Sequence, residues 1–421
     1  MTFKILTLGC KVNTYESNVI RDLLINRGYL EIENNADIYI INTCTVTNTA
    51  DNKSMKLIRR TRKENPNSII VVCGCMAQNK KNNIEESDIV IGNIGKTKIV
   101  DYIEEYIKSK EKKIDIQNMS DVSFEPMILN NFNKTRAFVK IQDGCNNFCS
   151  YCVIPYVRGN VRSKDKSDVI EEITALVNNG HKEIVLTGIH TGNYGSEFNN
   201  YDFADLLIDI LKIKGLERLR ISSIEVTELN DRVLDIIKNN SVLVDHMHIP
   251  LQSGSDSVLK RMNRKYDKEY FIEKINKIRT IRPNISITTD VIVGFPGETE
   301  EEFNETIDTI KKINFSKIHV FPYSKRDGTK ACEIPNHIDD VTKKRRAQEL
   351  IKLSKELENN YMNKFINTNT IFIPEVYDNG YIIGHTGNYL SIKTSGCKRD
   401  LGNDIEVKII ENEYPYMIGK R

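Results

Sequence analysis

The 421-residue chain has no tryptophan, and no apolar run approaches the roughly 20 residues a membrane-spanning helix needs. A dominant charge is missing too: 60 Lys and Arg against 58 Asp and Glu leave a net +2. The molecule is no polycation, so any contact with nucleic acid must come from local patches. Nine cysteines, an odd number crowded towards the first 152 residues, exclude a secreted disulfide framework. They point instead to metal ligation in a reducing compartment. Leu6-Thr7-Leu8-Gly9-Cys10 looks like a lipoprotein cleavage site, but nine residues before Cys10 cannot hold a charged segment and an apolar stretch of about 7–15. The expected location is cytoplasmic, with no membrane partner.

What is present is an ordinary globular composition, long enough for about two or three domains. Apolar runs at 3–8, 38–41, 69–73 and 89–91 predict buried strands, with helices between them at 14–27, 46–63 and 95–108. Such alternation means a parallel sheet covered on both faces. The polar stretch 111–135 reads as a linker after a first domain of 1–110. From Arg136 six more strands alternate with helices (137–141, 184–186, 219–221, 246–249, 285–293, 318–321), and a charged helix at 340–364 follows; this second domain is 136–362. The remainder, 363–421, changes to short strands broken by Asn379-Gly380 and Gly387-Asn388, a small all-β barrel.

Cys145, Cys149 and Cys152 form a C-x3-C-x2-C triplet just after the first strand of the second domain. Closely spaced thiolates on a loop converge on the irons of a 4Fe–4S cluster. Three ligands leave one iron open to chelate the amino and carboxylate groups of S-adenosylmethionine and to reduce its sulfonium. Cleavage then gives a 5′-deoxyadenosyl radical, the hard chemistry being the cofactor's. These three are the expected catalytic cysteines. Zinc is the competing reading; it wants a fourth Cys or His close by, and the nearest His is His181. Tyr151, between ligands, is placed either on the adenine or in plain loop packing.

Cys10, Cys44 and Cys75 each follow a predicted strand of the first domain, in the turns Gly9-Cys10, Asn42-Thr43-Cys44 and Gly74-Cys75. Carboxyl ends of parallel strands share one edge, where sites are built. The three therefore predict a second three-cysteine cluster, against the alternative of three buried core thiols. Cys73, inside a strand, and the isolated Cys332 and Cys397 are read as structural.

The run Gly144–Gly159, with Cys145-Asn146-Asn147-Phe148-Cys149-Ser150-Tyr151-Cys152, resembles the radical loop of the methylthiotransferases, and Gly74–Gln78 resembles that family's first domain. The resemblance spans nearly the whole chain. It implies an α/β fold: a flavodoxin-like amino-terminal sheet, a central radical S-adenosylmethionine partial (β/α)6 barrel and a carboxyl-terminal TRAM barrel, whose turn Gly384–Tyr389 matches. It also implies two 4Fe–4S clusters, the auxiliary one delivering sulfur, with an electron donor such as a flavodoxin or ferredoxin and a sulfur source. Gly9-Cys10-Lys11-Val12-Asn13-Thr14-Tyr15-Glu16-Ser17 is similar to the branch acting on N6-threonylcarbamoyladenosine in tRNA; branches acting on isopentenyladenosine or on a ribosomal-protein aspartate are the alternatives. A two-cluster electron carrier and a zinc-stabilised RNA-binding protein are rivals from other classes. Strand ends that line the cofactor in this family correspond here to Thr187 and Gly188, Glu225 (ribose hydroxyls or amino group), Gln252, and Arg264, whose fork suits a carboxylate. The turn Gly294–Thr299 reads as backbone geometry leading into a helix.

Lys53, Lys56, Arg59, Arg60 and Lys63 cluster on one helix, and Lys343-Lys344-Arg345-Arg346 gives a second patch. Basic clusters on a near-neutral protein fit a phosphate backbone or a plain solvated helix face; the resemblance implies tRNA rather than DNA as the partner. The carboxyl-terminal module is not basic: from residue 366 on it has six Lys and Arg against seven Asp and Glu. Its affinity for RNA must come from shape, stacking or a local face.

Overall fold

The computed structural model describes residues 1–80, 84–120 and 122–421; residue 121 of the expected linker lies outside them. Six parallel strands form the first sheet: β1 (Thr2–Thr7), β2 (Leu30–Glu31), β3 (Ile38–Thr43), β4 (Ile69–Gly74), β5 (Ile89–Ile91) and β6 (Lys113–Asp115), in the order β2-β1-β3-β4-β5-β6. Four helices flank it: α1 (Lys11–Asn26), α2 (Asn48–Glu64), α3 (Cys75–Lys80) and α4 (Ile99–Ser109). Ile20 and Leu24 of α1 and Ile99 and Ile103 of α4 pack one face, while Ile58 of α2 and Met76 of α3 pack the other. β3 and β4 are buried along their whole length, which is why they read as unbroken apolar runs.

The chain leaves β1 for β2 on one side and returns to β3 on the other. The crevice beyond the carboxyl ends of β1 and β3 is therefore the topological switch point, the place where such sheets bind ligands. β6 corrects the sequence reading, which put residues 113–115 in the linker. It is a three-residue edge strand paired to β5, with no buried residue to mark it.

The second unit contains β7 (Arg136–Lys140), a short antiparallel pair β8 (Gln142–Asp143) and β9 (Arg162–Ser163), then β10 (Glu183–Thr187), β11 (Arg218–Ile221), β12 (His246–His248), β13 (Ser286–Val293) and β14 (Lys317–Pro322). Two three-stranded parallel sheets, β11-β10-β7 and β12-β13-β14, are joined by the parallel bridge Leu219↔Leu243. The six strands make an open barrel, and α1 of the first unit packs against its edge strand β7: the Tyr15 hydroxyl donates to the Met127 carbonyl (2.7 Å) and meets Glu172 at 2.9 Å.

The third unit is a closed barrel of β15 (Asn369–Asp378), β16 (Tyr381–Thr386), β17 (Ser391–Ser395), β18 (Ile405–Glu413) and β19 (Tyr416–Lys420) around Phe372, Ile382, Ile392, Val407 and Met417. Its strands turn where the sequence predicts, at Asn379-Gly380 between β15 and β16 and at Gly387-Asn388 between β16 and β17. It docks on the amino-terminal ends of the central strands through ion pairs: Arg136 with Glu375 (2.9 Å), Lys182 with Asp404 (2.6 Å) and Arg218 with Asp404 (3.2 Å). Among the described residues no helix is long and apolar enough to cross a membrane.

Candidate functional site

Cys10 follows β1, Cys44 follows β3, and Cys75 follows β4 and opens α3, so the switch point carries all three thiols. Close approach is built in. Gly9 has φ +113°, and a Cβ there would lie 2.9 Å from Cys44 Cβ; at Gly74 (φ +96°) it would lie 2.6 Å from the Thr43 carbonyl oxygen. Only glycine leaves that room at such angles. Asn13 locks the turn by donating to the carbonyls of Leu8 (2.7 Å) and Thr43 (2.9 Å). Burial first, and then the neighbouring Cys75 and Cys10, push the Cys44 thiol up to about 11. Cys73 lies in β4 within the apolar core, as read from sequence.

The second triplet sits on the loop between β8 and β9, the shallow end of the open barrel. Cys145 Sγ receives the Asn147 amide at 3.5 Å and lies 3.7 Å from Nδ1 of His190, whose Nε2 is paired with Glu228. Arg264 donates to Cys149 Sγ at 3.3 Å and is paired with Glu225. Burial first, and then Cys149, push the Cys152 thiol up to about 12. Thiols raised this far carry their charge only beside a cation.

Neither triplet brings its three sulfurs within 4.8 Å of one another; among the described residues only His248, Asp290 and His319 in the barrel lumen form such a group. Tetrahedral zinc with bonds of about 2.3 Å would hold thiolates about 3.8 Å apart. On the sulfurs of the second triplet lie N–H donors, the Asn147 amide on Cys145 and Arg264 on Cys149.

Between the triplets lies a buried charge network that sequence reasoning missed. Glu16 of α1 accepts from Lys96 (2.8 Å), Lys140 (2.9 Å) and Arg158 (3.1 Å). Arg158 also reaches Asp143 (3.1 Å), Asn13 (3.0 Å) and Cys75 Sγ (3.2 Å). Lys140 meets Asp143 at 2.7 Å, and Arg162 approaches it at 3.6 Å. Burial opposes ionisation of Glu16, yet Arg158, Lys140 and Lys96 hold its carboxyl well below the usual range. Four cations here face two carboxylates, and the surplus positive charge fronts the amino-terminal thiols. The signal in the sequence was position: Glu16 and Arg158 fall inside the two cysteine-bearing motifs.

Of the expected cofactor residues, Thr187 and Gly188 end β10 against Gln142, and a Cβ on Gly188 would come 3.0 Å from Gln142 Oε1. Gln252 holds φ +66° while its amide donates to Asp290 O, a strained backbone of the kind found in sites. Tyr151 packs against the cluster of Val258, Met262 and Phe295. Thr299 and Glu302 form a reciprocal cap on the helix Glu300–Ile313, so the Gly294–Thr299 turn is structural.

The basic helix divides. Arg59 is paired with Glu86 (2.9 Å) and Arg60 with Glu64 (2.8 Å), whereas Lys53, Lys56 and Lys63 are exposed and make no ion pair among the described residues. Three of the four residues of the second patch are paired: Lys343 with Asp340, Arg345 with Glu300, and buried Arg346 with Glu298, while Lys344 is exposed and makes no ion pair among the described residues.

Residues 139–310 match the model of the radical SAM superfamily, and residues 2–94 match one described as uncharacterized protein family UPF0004. The chain is 43% identical to the threonylcarbamoyladenosine tRNA methylthiotransferase MtaB of Bacillus subtilis, over 98% of this chain and 95% of that one. Identity to the protein of the same name in Aquifex aeolicus is 37%, over 96% and 98%. To the tRNA-2-methylthio-N(6)-dimethylallyladenosine synthase of Lachnoclostridium phytofermentans it is 35%, over 100% and 95%. Among solved structures, the radical S-adenosylmethionine methyltransferase TsrM of Kitasatospora setae shares the fold, with a TM-score of 0.55 at 12% identity over 76% of this chain and 74% of that one.

Proposed function

The chain belongs to the radical SAM tRNA methylthiotransferases, and from that premise we propose that it methylthiolates carbon 2 of N6-threonylcarbamoyladenosine at position 37 of tRNA. The observation that carries this reading is the greater identity to relatives named for threonylcarbamoyladenosine than to the dimethylallyladenosine synthase. The stretch Gly9–Ser17 supports it.

In this reading Cys145, Cys149 and Cys152 hold the radical cluster, and Cys10, Cys44 and Cys75 hold an auxiliary one. When bound, the radical cluster and one S-adenosylmethionine would supply the radical that takes hydrogen from carbon 2, the auxiliary cluster would supply the sulfur, and a second S-adenosylmethionine the methyl group. The chain's own residues position these groups. Arg264 receives the cofactor carboxylate, and Glu225 receives its ribose hydroxyls or amino group. Arg158 neutralises the thiolates of the amino-terminal site, whose surplus of cations suits an anionic occupant. Thr187, Gly188 and Gln252 shape the strand-end floor. The reaction needs an electron donor such as a flavodoxin or ferredoxin and a sulfur source, both available in the cytoplasm. Lys53, Lys56 and Lys63 supply the phosphate-backbone contact, aided by the carboxyl-terminal barrel. Domain limits of 1–115, 136–362 and 363–421 follow the same division of labour.

The test is nucleoside analysis of tRNA from a strain lacking the gene. The methylthio derivative of N6-threonylcarbamoyladenosine should vanish while its precursor accumulates. An unchanged tRNA profile, or loss of the isopentenyl derivative alone, sinks the reading.

A further inference from the structure

A cavity of about 260 Å³ occupies the amino-terminal half of the barrel lumen, with lining from β7, β10, β11, β12, β13 and β14. Its charged lining is mostly positive: Lys11, Arg136, Arg220 and Lys317, with Glu358 the one carboxylate. Glu358 already pairs with Lys317 at 2.8 Å, and Glu375 outside the cavity pairs with Arg136 at 2.9 Å.

Arg220 is only half used. Its Nε donates to Glu183 at 2.7 Å, but Nη1 and Nη2 are buried with no hydrogen-bond partner among the described residues, and the residue is 2% exposed. A guanidinium left so is costly unless something anionic completes it. Over it lies the ring of Tyr389 from the carboxyl-terminal barrel, with the Arg220 Cζ 4.8 Å and the Arg136 Cζ 5.2 Å from the ring centroid. The Tyr389 hydroxyl accepts from Arg136 at 3.1 Å. Tyr389 holds φ +69°, an angle disfavoured for an aromatic residue, to reach this place. Burial opposes ionisation of Tyr389, but Arg136, Lys11 and Arg220 together lower its pKa, a sign of unbalanced positive potential at this point. Lys11, the residue after Cys10, stands at the side of the cavity facing the amino-terminal thiols and makes no ion pair among the described residues.

The geometry points to Arg220, with Lys11 and Arg136, as an anion subsite that takes the free carboxylate of the threonylcarbamoyl group and so selects this nucleoside over one carrying an apolar isopentenyl chain. The inference rests on the threonylcarbamoyladenosine reading and names the residues that enforce it. A planar carboxylate matches the two free N–H groups of the fork, reached when the Tyr389 ring tilts off them. An isopentenyl group would leave those donors unpaired, which makes the cavity selective by penalty as well as by attraction.

The test uses anaerobically reconstituted enzyme and an anticodon stem–loop RNA carrying N6-threonylcarbamoyladenosine, either as the free acid or as its methyl ester. Wild type should bind the acid about ten- to a hundredfold more tightly than the ester, the usual worth of a hydrogen bond to a charged group. Arg220→Lys and Lys11→Gln should each shrink that ratio severalfold while binding of the ester stays the same. If Arg220→Lys fails to fold, the wild-type ratio and Lys11→Gln still decide. Equal binding of acid and ester by an enzyme that methylthiolates the acid overturns the subsite and leaves the substrate reading standing. Methylthiolation of an isopentenyladenosine stem–loop but not of the acid overturns the reading and the subsite together.

Discussion

Arg158 Nε lies 3.2 Å from Cys75 Sγ, so a residue from the radical loop holds a thiol of the amino-terminal unit. The same side chain bridges Glu16 of that unit and Asp143, two positions before Cys145. Replacing Arg158 by Met leaves Glu16 and Asp143 buried with fewer partners. Losing one member of a buried ionic network costs about 3–5 kcal/mol. Chemical denaturation should show a loss of that order, and iron analysis should show the amino-terminal site emptied first. A variant with wild-type stability and full iron would remove Arg158 from this role.

Two independent sites predict additive metal content. Wild type after anaerobic reconstitution should hold about eight irons with matching sulfide, as two four-iron clusters require. Cys145→Ala/Cys149→Ala/Cys152→Ala and Cys10→Ala/Cys44→Ala/Cys75→Ala should each hold about four. Only the first should lose 5′-deoxyadenosine production. Zinc in the wild type, or one cluster abolished by either triple change, contradicts this.

Arg264 touches both Cys149 Sγ and Glu225. Arg264→Met should therefore keep its iron yet bind S-adenosylmethionine about ten- to a hundredfold more weakly, the worth of a charge-assisted pair. Equilibrium dialysis on the reconstituted variant reads this directly, and unchanged affinity would dismiss Arg264 as the carboxylate partner.

Burial of Glu302 disfavours its charge, but hydrogen bonds from Arg261 and Ser257 and from the Thr299 amide outweigh that and lower its pKa to about 2. A pKa depressed on folding adds stability above the unfolded value of 4.5, lost as pH falls from there towards 2. The carboxylate is partly solvated, so the contribution is about 1–2 kcal/mol rather than the full shift. Glu302→Gln should show that deficit at pH 7 and approach wild type by pH 3. A deficit independent of pH would assign it to packing.

On the basic helix the ion pairs sort the residues. Lys53→Gln, Lys56→Gln and Lys63→Gln should weaken tRNA binding irrespective of the base at position 37. Each should also reduce the slope of log affinity against log salt by about 0.7–0.9. Arg59→Gln and Arg60→Gln should do less, because Glu86 and Glu64 already hold those charges. Filter binding across a salt series separates the two groups.

Strand ends were legible because buried parallel strands are apolar throughout: β3, β4 and β5 stand within two residues of where their Ile and Val runs put them. That placed Cys10, Cys44 and Cys75 at one edge without coordinates. Short strands were not legible: β6 is a three-residue edge strand with no buried position, and the five residues of β19 offer only two. Nor were the buried ions. Glu16, Lys96, Lys140 and Arg158 look like surface residues in any local window, since charged groups are almost never fully buried unless paired. Glu16 finds its three cations 80 to 142 positions away in the chain: the fold of the first unit brings Lys96, and the docking of the second brings Lys140 and Arg158. Arg346 misled the reading of the second basic patch in the same way, by pairing with Glu298 across 48 positions.

One wall of the barrel lumen is made by Tyr389, Leu390, Ser391 and Pro415, which follow every other wall residue in the chain. A ribosome therefore finishes both cysteine triplets long before it finishes the chamber. A product cut short before Tyr389 would keep all six cysteines and leave its lumen open at the strand starts. Synthesis itself thus delays closure of this lumen until the third unit has been made.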